Sequence, residues 1–447
     1  MRRKRSRPSQ ARLSRRNLLK ATGGAVAGSL VACSESPPAD EPTSDGGAAP
    51  VPDGGTDPLE LVPRPAPDRF AEVDVDGGVE EPGPIFLLHW SDIHIGSGAL
   101  APPALEFALG TVLPAFAMMP IVATGDLVEV GNRIDDWIVY RDTIDAAGLS
   151  ADDFMETPGN HDALLDAALN NYLAYTLAGR NGHGRHGLYH RVHQGRRVRI
   201  VALNTCSSGN PLQDSTGYLQ LSQVEELIAQ IDLDPDPVYA TLVLGHHPPS
   251  SPLGLGLYGT DAHLRTLLTH TSAAAYLHGH VHMHYVNWEG TTVMAQAPSL
   301  GNPSEGVPGA EVPGFNVFAL DDGPVAKPVF FTSDAQGLAA GWPVVLITKP
   351  ADVNFGKTLT STDPNPWATP LPRAATGNVL HAGVFAPTAP VAVRYRVSGG
   401  PWQPMTAVSD YYRAEFDTPD ESSCVIEVEG ELGDGAIGAD SIEIDLA

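Results

Sequence analysis

Over 447 residues the chain carries 27 Lys and Arg against 53 Asp and Glu, a formal charge of −26. Nine of the basic residues fall within residues 1–32, which hold no acid, so beyond them 18 bases face all 53 acids. That balance disfavours nucleic acid and anionic membrane surfaces as partners, and the length is ample for more than one folded core.

The first elements concern address rather than fold. Ser14-Arg15-Arg16-Asn17-Leu18-Leu19-Lys20 resembles a twin-arginine export signal, and the weakly apolar run from Ala21 to Val31 is too short to span a bilayer. Leu30-Val31-Ala32-Cys33 then resembles a bacterial lipobox, which implies cleavage before Cys33 and lipidation of its thiol. Residues 1–33 are therefore expected to send a folded protein to the bacterial cell envelope, periplasmic or surface-exposed, with a membrane reached only through that N-terminal lipid. Residues 34–83, rich in Pro, Gly, Asp, Glu and Ala, read as a disordered acidic tether that cannot bury enough apolar surface to offset its ordering entropy. Once Cys33 is lipidated only Cys206 and Cys424 remain, in separate predicted domains, and a disulfide between them is possible but not expected.

From residue 84 to about 340 short apolar runs alternate with amphipathic helical stretches. Five runs read as buried strands: Ile85 to Leu88, Ile121 to Ala123, Phe154 to Met155, Thr241 to Leu244 and Ala275 to Leu277. Each leads into a block of polar, chemistry-bearing residues: Asp92-Ile-His94, Gly125-Asp126, Gly159-Asn160-His161-Asp162, Gly245-His246 and Gly279-His280-Val281-His282. Strand ends are where open α/β sheets gather their ligands, and a two-residue spacing on a strand would turn Asp92 and His94 to one side. A single block of this kind is usually an ordinary turn, whereas five in order form a joint signal. Arg199 to Asn204 adds a strand, and Thr292 to Met294 with Asn316 to Leu320 are expected to extend the second sheet. Ser222-Gln223-Val224-Glu225 reads as a capping box opening a helix with Leu227, Ile228 and Ile231 inward, and Trp137, Tyr140 and Ile144 share another helical face.

From residue 341 to 447 the grammar changes to short strands and Gly/Pro-rich turns. Val391, Val393, Tyr395 and Val397 alternate with small and charged residues, Ser398-Gly399-Gly400-Pro401 turns the chain, and Cys424, Ile426 and Val428 repeat the period. With Val344 to Ile347, Val379 to Phe385, Tyr411 to Phe416 and Ile442 to Ile444, about seven strands make an immunoglobulin-like β-sandwich. Trp402 reads as a buried anchor rather than an exposed binding aromatic.

The five blocks together resemble the calcineurin-like binuclear metallophosphoesterases, whose pattern is D-x-H, G-D, G-N-H-D/E, H and G-H-x-H. The resemblance implies a four-layer αββα sandwich of two mixed sheets. It also implies two divalent or trivalent ions: one held by Asp92, His94, Asp126 and His282, the other by Asp126, Asn160, His246 and His280, with Asp126 as bridge. Imidazole and oxygen donors without thiolate suit Mn, Fe or Zn. The implied activity is hydrolysis of phosphate mono- or diesters by a bridging hydroxide, on a small phosphoester or phospho head group. His161 would stand beside the leaving oxygen as proton donor, with Asp162 either orienting it or capping a helix. His89, His247 and His284 match no ligand position and read as supporting or packing residues.

Ser91-Asp92-Ile93-His94, Ala123 to Leu127, Gly159 to Ala163 and above all Trp342 to Pro350 resemble the transmembrane protein 62 branch, which joins the phosphoesterase domain to an immunoglobulin-like one. Animal members of that branch continue into membrane helices; here the lipid on Cys33 is expected to supply the attachment. Purple acid phosphatases place a Tyr three residues after the bridging Asp, where this chain has Glu129, so no tyrosinate colour is expected. The alternative to an enzyme is a surface binding or adhesion lipoprotein whose metals are only structural. The loops Asn181 to Gly187 and Pro248 to Gly259 read as pocket rims, and nothing in the sequence specifies an oligomeric state.

Overall fold

The computed structural model describes residues 82–206, 216–250, 255–304, 310–334, 337–358 and 363–447. The expected export signal, Cys33 and nearly all of the expected tether lie outside the described residues.

Twelve strands build the first domain: β1 (Ile85–Trp90), β2 (Ile121–Thr124), β3 (Phe154–Thr157), β4 (Gly187–His193), β5 (Arg196–Ala202), β6 (Ala240–Leu244), β7 (Ala275–His278), β8 (Tyr285–Glu289), β9 (Thr292–Gln296), β10 (Gly314–Leu320), β11 (Pro324–Asp334) and β12 (Gly337–Ala340). They form two six-stranded mixed sheets, in the orders β12-β11-β10-β1-β2-β3 and β4-β5-β6-β7-β9-β8. The pairs β1–β2–β3 and β5–β6–β7–β9 are parallel, and antiparallel strands flank them. Every residue of β1, β2, β3, β6 and β7 is buried, because both faces of each strand are covered.

Alternation decides which face meets what. Ile85 and Leu87 of β1 join Val122 and Met155 against Leu242, Leu244, Ala275 and Leu277 of the other sheet. Phe86, Leu88 and Trp90 point the opposite way, toward Leu105, Trp137 and Tyr140 on outer helices. The second sheet turns Val243, Tyr276 and Met294 toward Val224, Leu227 and Ile231 of one helix and Leu264, Leu267 and Leu268 of another. The layers thus run helices, sheet, sheet, helices.

Three local expectations are corrected. The strand containing Asn316 to Leu320, β10, does not extend the second sheet: it pairs antiparallel with β1, Leu87 opposite Phe318, on the first. Ser222 is not a cap, because the helix Leu221–Asp232 starts one residue earlier with Gln220 at its N-cap. Its inward residues are Gln223, Val224, Leu227 and Ile231, with Ile228 only partly covered. Gln223 is buried because its amide satisfies both the N–H and the C=O of Asn204, at 2.9 Å each.

The C-terminal region is all β: β13 (Val344–Lys349), β14 (Asn378–Phe385), β15 (Ala392–Val397), β16 (Gln403–Pro404), β17 (Thr406–Val408), β18 (Tyr411–Phe416), β19 (Ser423–Glu431) and β20 (Ile437–Asp445). Two antiparallel four-stranded sheets, β13-β14-β18-β17 and β16-β15-β19-β20, enclose one apolar core that includes Ile347, Leu380, Tyr395, Ile426 and Ile442. Between β15 and β16, Ser398 and Gly399 both take positive φ, 47° and 72°, the left-handed pair of a tight hairpin turn. Trp402 is neither fully buried nor open: it is half-buried, with the guanidinium groups of Arg394 and Arg396 lying 5.4 and 4.5 Å from its ring centre.

All described residues fall in one compact unit, and β13, β14 and β18 help to explain why. Val344, Leu346, Phe385 and Tyr411 belong to the same apolar cluster as Phe86 and Phe116 of the first domain. Phe116 is fully buried there, its ring 4.7 Å from Phe385, 5.8 Å from Phe315 and 5.9 Å from Trp342. Truncating an aromatic ring at such a site costs about 3–5 kcal/mol. Phe116→Ala is accordingly expected to lower the denaturant midpoint markedly; an unchanged midpoint would show that the two regions do not share this core.

Candidate metal centre

The polar blocks sit in the loops that leave the C-terminal ends of β1, β2, β3, β6 and β7. Asp92 and His94 are not on the strand, as their spacing suggested, but beyond it. Both take left-handed backbone, φ 53° and 54°, as do Asp126 (54°), His280 (76°) and His282 (61°). Left-handed non-glycine residues cost about 1–2 kcal/mol each, and they gather at functional sites where surrounding structure holds them. The holding groups here are main-chain hydrogen bonds between the two loops, Asp92 N–H to Gly125 O at 3.0 Å and His94 N–H to Asp126 O at 2.9 Å. The glycines of the motifs let these loops touch. A Cβ on Gly159 would collide with Asp126 Oδ1, and one on Gly279 with Ser91 and Asp92.

The side chains converge around Asp126. Its Oδ2 lies 3.2 Å from His246 Nε2 and 3.5 Å from His94 Nε2, so one carboxylate oxygen faces two groups of donors. On one side His94 Nε2 is 3.2 Å from His282 Nε2, which is 3.3 Å from Asp92 Oδ1. On the other, His246 Nε2 is 3.0 Å from Asn160 Oδ1 and 3.2 Å from His280 Nδ1. Asp92, Asp126 and His246 are fully buried or nearly so.

Hydrogen bonds at the far ring nitrogens decide which atoms turn inward. The Thr124 carbonyl, 2.8 Å from His246 Nδ1, can only accept, so Nδ1 carries the proton and the Nε2 lone pair faces the cluster. Glu129 Oε2, 2.8 Å from His94 Nδ1, does the same for His94, and Ser304 Oγ lies 3.2 Å from His282 Nδ1. Imidazole lone pairs and carboxylate oxygens packed this closely fit cations between them. The sets Asp92–His94–His282 and Asp92–Asp126–His246 each present ligand atoms within 4.8 Å of one another. The sets His246–His247–His280 and His94–Glu129–His161 do so as well, drawing in three residues, His247, Glu129 and His161, that the motif does not mark as ligands.

Burial opposes charge on His94, but hydrogen bonds to Asp92 and Glu129 and the field of Asp126 outweigh it and raise the pKa to about 10. His246 is likewise raised to about 9, against burial, chiefly by Asp126. Asp92 and Asp126 are correspondingly held below the usual carboxylate range: burial works against ionisation, and the neighbouring histidines prevail.

His161 stands beside this cluster, its side chain 30% exposed. Its N–H donates to Asp126 Oδ1 at 2.8 Å, its Nδ1 to the Glu129 carbonyl at 2.8 Å, and its ring meets His94 edge to face. Asp162 does not orient it. The Asp162 carboxylate accepts from the N–H groups of Leu127, Val128 and Gly159, at 2.9, 3.0 and 2.8 Å, and so caps the short helix Asn160–Ala163 and ties it to the Asp126 loop. Burial, then the charge of Asp126, pushes Asp162 up to about 7.

The remaining histidines take supporting positions. His89 Nε2 lies 3.0 Å from Thr124 Oγ1, His247 Nδ1 2.8 Å from Thr205 Oγ1 and His284 Nδ1 2.8 Å from Asn316 Oδ1. Of the expected rim loops, residues 251–254 of Pro248 to Gly259 lie outside the described residues. In the other, His186 faces Glu226 at 3.3 Å.

Residues 87–284 match the calcineurin-like phosphoesterase family. No curated protein sequence matches the chain. Similar solved structures include GAP50, the anchor in the inner membrane complex of Plasmodium, at 16% identity and TM-score 0.40, covering 56% of this chain and 85% of that one. The phosphopantetheinyl hydrolase PptH of Mycobacterium tuberculosis is 16% identical over 48% of this chain and 89% of its own, with TM-score 0.31. The phosphoesterase YfcE of E. coli is 16% identical over 53% and 88%, with TM-score 0.24. The matched stretch runs from within β1 to the loop after β7 and has every polar block of the site inside it.

Proposed function

We propose that the protein is a metal-dependent hydrolase of phosphate mono- or diesters with a two-metal centre. The observation that carries this reading is the position of Asp126 Oδ2 between His94 Nε2 and His246 Nε2. Asp92, His94, Asp126 and His282 would hold one ion, and Asp126, Asn160, His246 and His280 the other. A bound pair would supply an activated water and positive charge for the phosphoryl oxygens. Asn160 contributes a neutral carbonyl, which leaves its ion the more electropositive of the two. His161, fixed through Nδ1 by the Glu129 carbonyl, would offer Nε2 as proton donor to the departing ester oxygen. Mn, Fe or Zn suits these donors.

The C-terminal region is read as an immunoglobulin-like sandwich. Support comes from its strand order: with β13 to β20 lettered A, B, C, C′, D, E, F and G, the two sheets become A-B-E-D and C′-C-F-G. The order of domains and the Trp342 to Pro350 segment favour the transmembrane protein 62 branch. For the N-terminus the reading remains a twin-arginine lipoprotein signal with lipid on Cys33, a tethered enzyme of the cell envelope, and a small phosphoester or phospho head group as substrate.

The test is turnover by the purified protein with Mn on nitrophenyl phosphate and bis-nitrophenyl phosphate. Hydrolysis of either, lost on chelation and restored by metal, is expected. No turnover across metals and pH would favour a binding lipoprotein with structural metals instead.

A further inference from the structure

Glu129 lies on the loop after β2, outside every polar block of the sequence. Its Oε2 accepts from His94 Nδ1 at 2.8 Å, and its main-chain oxygen accepts from His161 Nδ1 at 2.8 Å. We propose that Glu129 is a positioning residue with two separable duties: its carboxylate fixes and enriches His94 as an Nε2 metal ligand, and its main chain orients His161. The inference rests on the two-metal reading above and deepens it.

The division of labour follows from distances. Glu129 Oε1 is 3.7 Å from His161 Nδ1, too far for a hydrogen bond, so the side chain serves His94. The main chain is held independently: Glu129 N–H donates to Ile95 O at 2.9 Å, Val128 bridges Ile95, and Gly131 N–H donates to His161 O at 2.9 Å. Removing the side chain therefore leaves the carbonyl beneath His161 in place.

The charge also sets His94 apart. His246 leans on a carbonyl and His282 on a hydroxyl, whereas His94 leans on a carboxylate. A carboxylate partner raises the basicity of the opposite ring nitrogen and holds one tautomer, and losing such a partner typically weakens metal binding about 10–100-fold. The effect should fall on the ion at the Asp92–His94–His282 side.

The experiment is Mn titration of the full chain against a competing chelator, for wild type, Glu129→Ala, Glu129→Gln and His161→Ala. One of two Mn ions should bind about 10–100-fold more weakly in Glu129→Ala. Glu129→Gln, whose amide oxygen still accepts from Nδ1, should recover part of the loss. His161→Ala should keep wild-type affinity for both. Wild-type affinity in Glu129→Ala, or no recovery in Glu129→Gln, overturns the proposal. If Glu129→Ala does not fold by circular dichroism, Glu129→Gln decides alone, and wild-type affinity there overturns it. A wild-type chain that binds no Mn overturns the metal-centre reading itself, an outcome distinct from two ions bound equally well with and without the Glu129 carboxylate.

Discussion

Asp126→Asn is expected to abolish phosphoester turnover and to reduce bound metal, because it removes charge from the one oxygen that faces both donor groups. An amide has a single acceptor oxygen, neutral, and an NH₂ that would point at a cation or at His161 N–H. Loss of a mere supporting partner costs about 10–100-fold in activity or affinity, so loss of the shared ligand should exceed about 100-fold. A second readout follows from protonation. At pH 7 the metal-free chain keeps protons on His94 and His246, whose pKa values stand at about 10 and about 9. Their contribution to stability is full below the unfolded histidine value and is lost as pH rises through 9 to 10. Metal must displace these protons, so binding at pH 7 should release acid and strengthen as pH rises. In Asp126→Asn the leading charge that raises His246 is gone, and less proton release is expected. An Asp126→Asn chain with wild-type turnover would remove the basis for a shared ligand.

How much of this could be read without coordinates depends on the range of the interaction concerned. The strands β1, β2, β3, β6 and β7 were legible because burial on both faces leaves unbroken apolar runs, and each run ends at its polar block. The helix through Trp137, Tyr140 and Ile144 was legible from one face alone. What escaped depends on contacts between distant segments. Asp92 and His94 reach the site through left-handed turns held by the Asp126 loop, where residue spacing on a strand is no guide. Glu129 follows an ordinary Leu-Val pair, and only the approach of His94 from β1 and His161 from beyond β3 gives it work to do. Asp162 carries the signature of a cap and of a catalytic orienter equally; three N–H groups from two loops settle it as a cap. β10 reads as a strand by its pattern, yet its place beside β1 is a matter of topology. Trp402 meets its arginines only once β15 and β16 pair.

His161→Ala separates proton transfer from metal retention, and its expected effect is a fall in turnover of about 10²–10⁴-fold with metal content unchanged. The ring belongs to none of the inward-facing pairs around Asp126: its Nδ1 is spent on the Glu129 carbonyl, and its side chain is one of the more open at the site, at 30%. Truncation removes Nε2 but leaves His161 N–H on Asp126 Oδ1, so the loop that carries Asn160 keeps its position. The loss should also depend on the leaving group. Nitrophenolate departs without needing a proton, whereas an alkoxide does not, so His161→Ala should cost more on an alkyl phosphoester than on the nitrophenyl ester. Equal losses on both, or loss of metal along with activity, would place His161 among the ligands rather than beside the departing oxygen.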